Sequence, residues 1–195
     1  MKYKIGVFGS GGGSQSDDAN NQVAQAVGQA LGNFHDHVII ITGGCTGLPY
    51  VAAREAKRAG CEVWGFSPVL DMEQQKKFTP DDDLSIYTKL QFVPKDMPFA
   101  KNLRVSMKYR NVLSTAACDA GIIISGRWGS LNEFTNLVDM QKLVGVVTGT
   151  GGIADELPKL DAKIHKQGAG KIVFNDDPIR LIEEVMRILN TSKTP

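Results

Sequence analysis

Six short apolar runs, cut off by turn residues and separated mostly by stretches of helical periodicity, constrain this chain more than any other feature. They are Lys4–Phe8, Val38–Thr42, Glu62–Phe66, Ala120–Ser125, Val144–Thr148 and Lys171–Phe174. The runs are continuous and do not alternate apolar with polar residues, which suits parallel strands covered by helices on both faces. Between them, Asp17–Leu31 carries Val23, Ala26, Val27, Ala30 and Leu31 at helical spacing, and Leu48–Ala59 is alanine-rich. The last helix has Asp177 as its cap, Pro178 at its first position, and Ile182, Val185, Met186 and Leu189 on one stripe. This alternation predicts a doubly wound, mainly parallel α/β sheet of Rossmann type, forming a single domain over residues 1–195.

Charge and cysteine usage narrow the function classes. With 22 Lys and Arg against 21 Asp and Glu, the chain has no surplus of cations for neutralising a nucleic-acid backbone, so nucleic acid is not an expected partner. The longest fully apolar runs, Val38–Ile41 and Ile122–Ile124, fall far short of the ~18 residues of a membrane span. Met1-Lys2 runs directly into a strand and leaves no room for a signal peptide. Cys45, Cys61 and Cys118, spaced by 16 and 57 residues, fit neither a disulfide framework nor a zinc motif. A cytoplasmic protein with no metal site and no membrane partner is expected.

One segment interrupts the rhythm. Residues 67–98 hold Pro68, Pro80, Pro94 and Pro98 and the run Asp81-Asp82-Asp83. A structureless loop of that length is rare inside a compact domain, so a short helix at Asp71–Lys77 and a strand at Leu90–Val93 are expected. The segment is either a lid over a site or an insertion without direct function. The three aspartates read as a solvated turn, because adjacent residues rarely supply ordered ligands to a cation.

Glycine marks the candidate site. The 21 glycines make up about 11% of the chain against the usual ~7%, and most gather at Gly9–Gly13, Gly43–Gly47, Gly126–Gly129 and Gly145–Gly152. Gly9-Ser10-Gly11-Gly12-Gly13-Ser14 lies between a strand and a helix, where backbone N–H groups can hold a phosphate; a tight turn without ligand is the alternative. Ser14 replaces the last glycine of a dinucleotide fingerprint, and the second strand ends in Thr42-Gly43-Gly44 without the acidic residue that would hold a ribose, which disfavours NAD. Gly43-Gly44-Cys45-Thr46-Gly47 is a second loop of the same kind, so two loops would line one crevice. Cys45 reads as a small buried filler, since no histidine is suitably placed to activate it.

The third cluster is Ser125-Gly126-Arg127-Trp128-Gly129-Ser130-Leu131-Asn132-Glu133, expected to open a helix running through Leu143. The amides of Gly129 and Ser130 and the Ser130 hydroxyl could grip a phosphate at the positive end of that helix, with Glu133 beside it. Ser130-x-x-Glu133 is equally a capping box, in which Glu133 would only bond the Ser130 N–H. Upstream, Leu103, Met107, Arg110 and Ser114 share one helical face. Alone, Arg110 reads as snorkelling to the surface; commitment to an anion is the other option.

Together, Met107-x-x-Arg110, Gly126-x-x-Gly129-Ser130-x-x-Glu133 and Gly43-Gly44-x-x-Gly47-Leu48 resemble the LONELY GUY family of cytokinin-activating phosphoribohydrolases, often mislabelled lysine decarboxylases. Its signature is Met-x-x-Arg-Lys followed by Pro-Gly-Gly-x-Gly-Thr-x-x-Glu, and the 23-residue step from Arg110 to Glu133 matches. Four positions depart: Asn111 for Lys, Ser125 for Pro, Arg127 for the second Gly and Ser130 for Thr. These departures resemble a divergent branch similar to molybdenum-cofactor carrier proteins and to relatives of the DNA-processing protein fold.

The resemblance implies hydrolysis of the N-glycosidic bond of a nucleoside 5′-monophosphate, with Arg110 and Glu133 catalytic. Gly9, Ser10, Gly11, Gly43, Gly44, Thr46, Gly47, Met107, Asn111, Gly126, Arg127, Trp128, Gly129 and Ser130 would hold the ligand. It implies no required cofactor beyond a bound nucleotide or phosphate, and a homodimer. Lysine decarboxylation is not expected. The alternative is a non-catalytic carrier of a nucleotide-like or molybdopterin-type phosphate, with Arg127 and Trp128 gripping it by charge and stacking.

Overall fold

The computed structural model of the chain describes residues 2–11, 18–164 and 168–191. Gly12, Gly13, Ser14 and Asp17 of the expected first loop and helix start lie outside them. The seven strands are β1 (Tyr3–Gly9), β2 (Val38–Thr42), β3 (Glu62–Phe66), β4 (Lys89–Gln91), β5 (Ala120–Ile124), β6 (Leu143–Val147) and β7 (Ile172–Asn175). Among the described residues seven helices accompany them: α1 (Asp18–Gly32), α2 (Leu48–Arg58), α3 (Met72–Phe78), α4 (Leu103–Ala117), α5 (Trp128–Asp139), α6 (Leu157–Lys163) and α7 (Pro178–Thr191).

All strands pair in parallel, in the order β4-β3-β2-β1-β5-β6-β7. Every residue of β2, β5 and β6 is buried, as continuous apolar runs require when helices cover both faces. Successive side chains serve opposite cores. Ile5, Val7, Ile40, Ile122 and Ile124 pack with residues of α1, α2 and α7, while Phe8, Ile41 and Ile123 pack with Phe134 and Leu137 of α5 and Leu157 of α6. The fold is the open, doubly wound Rossmann-like sheet expected, in one domain.

The differences are local. Ser125 is not a strand residue; its φ of 53° turns the chain out of the sheet one residue earlier than its polarity pattern suggests. The helix expected through Leu143 stops at Asp139, and Gln141, at φ 59°, reverses the chain so that Leu143 can begin β6. Helix α6 was not apparent from periodicity, being only two turns long.

The 67–98 segment is structured as expected. Asp71 caps α3 by accepting from the Gln74 N–H at 3.0 Å, and β4 adds an edge strand beside β3 at Lys89–Gln91, slightly earlier than predicted. Asp83 caps a 3₁₀ turn at Leu84–Ile86, so the aspartate run is used for local structure. Among the described residues no three His, Cys, Asp or Glu side chains converge as a metal site. Nor is any described helix long and apolar enough to cross a membrane.

What binds this segment to the domain is Gln75, fully buried on α3. Its amide donates to the Gly44 carbonyl at 3.0 Å and to Thr79 Oγ1 at 2.8 Å, and its oxygen accepts from Ser67 Oγ. Gln75→Ala leaves the Gly44 carbonyl unpaired and opens a void, so stability measured by urea unfolding is expected to fall by about 2–3 kcal/mol.

Candidate functional site

In the strand order, β1 lies between β2 and β5, and the chain leaves it in opposite directions on its two sides. Loops after β1 and β5 therefore diverge, and open α/β sheets form their ligand crevice at this point, beyond the carboxyl ends of the strands. A cavity of about 540 Å³ occupies that position. The loop after β1 contributes Gly9, Ser10 and Gly11; the loop after β2 contributes Gly43, Cys45 and Thr46; α4 contributes Arg104, Met107, Lys108, Arg110 and Asn111; and the start of α5 contributes Arg127, Gly129, Ser130 and Glu133. Phe78 and Thr79, at the end of α3, form part of the wall, so the inserted segment borders the cavity directly.

Twelve of the sixteen residues expected at a ligand site thus share one cavity. Gly44, Gly47 and Gly126 stand behind it as supports, and Trp128 points away, 81% exposed. Gly47 is bridged by backbone to Gly11, and the Gly126 N–H donates to Ser10 Oγ at 3.1 Å. Ser10 is more than a ligand candidate: its hydroxyl also donates to Ser125 Oγ at 3.2 Å, and its carbonyl accepts from the Leu48 N–H at 3.0 Å. One residue thereby ties together the loops after β1, β2 and β5.

The first turn of α5 differs from the capping box. The helix begins at Trp128, with Arg127 as an N-cap in extended conformation (φ −131°) that makes no side-chain cap. Ser130 is therefore already the third helical residue and Glu133 lies a turn further in, too far along to close a box. No side chain caps the first amides, which leaves this end of the helix able to receive an anion. Gly126, at φ 103°, makes the entry possible, since a Cβ there would meet the Ser130 side chain at 2.4 Å. Ser125 at φ 53° occupies a conformation that a proline ring cannot adopt, so this departure from the signature reflects a different loop path. Arg127 needs no glycine conformation and projects from the cavity edge without obstructing it.

Arg110 is buried, 8% exposed, and does not snorkel. The buried face of α4 is polar, formed by Ser106, Arg110, Asn111, Ser114 and Thr115, whereas Leu103 is exposed. One guanidinium nitrogen donates to the Gly43 carbonyl and lies 3.5 Å from the Phe66 carbonyl, at the ends of β2 and β3; the other lies 3.5 Å from Cys45 Sγ. A Cβ at Gly43 would collide with the guanidinium. Arg110 Nε is buried and has no partner, and neither has Asn111 Oδ1, whose own amide nitrogen donates to Asn132 Oδ1 at 3.0 Å. Cys45 is half-exposed and lines the cavity beside Arg110, so the expectation of a buried filler is corrected.

Glu133 is the one carboxylate of the lining, 7% exposed, with no hydrogen-bond or ion-pair partner among the described residues. Burial pushes its carboxyl up to about 7, against the pull of the Arg110 and Lys108 charges. Sequence reasoning missed Lys108, Arg104 and Phe78. The two cations carry one available signal: with Met107 and Asn111 they form an i, i+3, i+4, i+7 stripe.

The raised carboxyl has a consequence for stability. A group held protonated in the fold and ionised when unfolded stabilises the fold most at low pH, and this contribution is lost as pH rises through about 7. Glu133→Gln cannot ionise, so its thermal or urea stability should exceed that of the wild type at pH 8. The gap should shrink by on the order of 2 kcal/mol at pH 5.

No curated protein matches the sequence. Among solved structures, the molybdenum cofactor carrier protein from Chlamydomonas reinhardtii is 18% identical with a TM-score of 0.67, over 97% of this chain and 99% of that one. The molybdenum cofactor binding protein from the phototrophic bacterium Rippkaea orientalis is 19% identical with a TM-score of 0.69, over 97% and 98%. DNA processing protein A from Helicobacter pylori, described for its single-stranded DNA binding mode, is 18% identical with a TM-score of 0.64, over 97% and 81%. At these identities the likeness is one of fold. The SLOG cluster4 family model matches residues 2–180, and with nearly the whole domain matched the chain belongs to the SLOG cluster4 family.

Proposed function

We propose that the protein binds a nucleoside 5′-monophosphate in this cavity and hydrolyses its N-glycosidic bond, releasing the base and ribose 5-phosphate. The observation that carries this reading is Glu133: a buried carboxylate, without a partner among the described residues, in a cavity whose other charged lining residues described are Arg104, Lys108, Arg110 and Arg127. The phosphate sits on the amides of Gly129 and Ser130 at the start of α5, where the helix dipole favours negative charge. Glu133, one turn along, takes a proton from water as the water oxygen attacks the anomeric carbon. Its charge also stabilises the cationic, oxocarbenium-like ribose.

Arg110 supports this chemistry from behind. Its terminal nitrogens are committed to the loop after β2 and the end of β3, and its positive charge favours ionised Glu133. A carboxyl that titrates near neutrality suits a general base at physiological pH.

A second reading, a non-catalytic carrier of a nucleotide-like or molybdopterin-type phosphate, is favoured by one feature. Among the described residues no other carboxylate lines the cavity to protonate the departing base.

Incubation with a panel of nucleoside monophosphates, assayed for free base and ribose 5-phosphate, separates the two. Base release is expected to rise with pH through about 7 as Glu133 ionises in the free protein. Glu133→Ala is expected to lower it at least ~100-fold while nucleotide still binds. Unchanged release in that variant overturns the assignment; tight binding with no release by the wild type establishes the carrier.

A further inference from the structure

The seven arginines divide into two groups. Arg54 and Arg58 pair with Glu55, Arg180 pairs with Asp177, and Arg187 pairs with Glu184. The other three, Arg104, Arg110 and Arg127, have no carboxylate partner among the described residues, and all three line the cavity. Lys108 joins them there, likewise unpaired. In a chain with 22 cations and 21 carboxylates overall, the lining among the described residues holds four cations and one carboxylate.

That imbalance has a cost in the free protein. Arg104 and Lys108 are one helical turn apart, a spacing at which like charges repel. Arg104, Lys108 and Arg127 are exposed, and Arg127 stands two residues before Gly129, adjoining the amides proposed for the first phosphate. Deeper in, Arg110 and Asn111 also line the cavity, and Arg110 Nε and Asn111 Oδ1 are buried without a hydrogen-bond partner among the described residues.

We propose that Arg104, Lys108 and Arg127 form a second anion subsite at the cavity mouth, contiguous with the start of α5, and that the preferred ligand is a nucleoside 5′-diphosphate. The monophosphate is then the smaller ligand that fills only the inner part. Four cations against ionised Glu133 leave a surplus that one phosphate monoester does not neutralise, whereas a diphosphate carries about three negative charges at neutral pH. Arginine's planar fork suits phosphate oxygens, and a subsite made of exposed cations acts strongly on affinity only for a ligand whose charge reaches it. This inference rests on the nucleotide reading above, so the test includes probes that lack a nucleoside.

Calorimetric titration of the full chain uses inorganic phosphate, inorganic pyrophosphate, and the mono- and diphosphates of adenosine, guanosine, cytidine and uridine. Pyrophosphate is expected to bind more tightly than phosphate, and at least one nucleoside diphosphate about tenfold or more tighter than its monophosphate. The ratio is expected to fall towards one at high salt and in the Arg104→Ala/Arg127→Ala variant. Both side chains are exposed, so the variant's circular dichroism and melting temperature check that the fold persists.

Equal affinities for mono- and diphosphates, or a preference that survives in the variant, overturns the subsite. A pyrophosphate preference lost in the variant, with no nucleotide bound, upholds the subsite and overturns the nucleoside reading. Binding of a single-stranded DNA oligonucleotide that the variant loses, without any diphosphate preference, overturns the proposal in favour of a nucleic-acid surface.

Discussion

The site is organised around a buried guanidinium resting on the carboxyl ends of two parallel strands. In a parallel sheet the terminal carbonyls of β2 and β3 point out of the sheet into the crevice, where they need donors. Arg110 supplies them from α4, and in doing so fixes the loop after β2 against the neighbouring helix. Gly43 is the complement of that arrangement, because only a residue without a side chain leaves room for the guanidinium. The same positive charge lies near Glu133, whose burial would otherwise hold it protonated more strongly. Loop position, helix packing and the electrostatics of the carboxylate thus share a single cause.

Much of this was legible in the chain. Strands β2 and β5 could be read because a helix on each face demands unbroken apolar runs, and the glycines could be read because they follow those runs. The buried face of α4 could not, because it is built from Ser106, Arg110, Asn111, Ser114 and Thr115. A search for apolar periodicity finds Leu103 and Met107 instead and places Arg110 at the surface. The start of α5 was misread for a related reason: Ser130-x-x-Glu133 satisfies the capping rule in sequence, but the uncapped extended residue Arg127 lets the helix begin earlier.

Two of the exposed cations of the cavity mouth were invisible for the opposite reason. Arg104 and Lys108 look like any solvated helix residues, and only the tertiary structure shows that no carboxylate among the described residues pairs with them. Family membership and fold are settled by different features from those that decide chemistry. The overall fold is shared with a protein described as a molybdenum cofactor carrier and with one described for its single-stranded DNA binding. Within that frame this chain's own cavity carries Arg104, Lys108 and Arg127 as exposed lining residues and Glu133 as a buried one.

The left-handed backbone at Ser125 bears on how this branch diverged. A proline at that position requires negative φ and carries neither a hydroxyl nor an N–H, so it would lose both the contact with Ser10 Oγ and the bond from the Ser125 N–H to Thr150 Oγ1 at 2.8 Å. The loop after β5 thus follows its path through two bonds that the signature proline cannot make, so backbone conformation and side-chain chemistry change together at this one position.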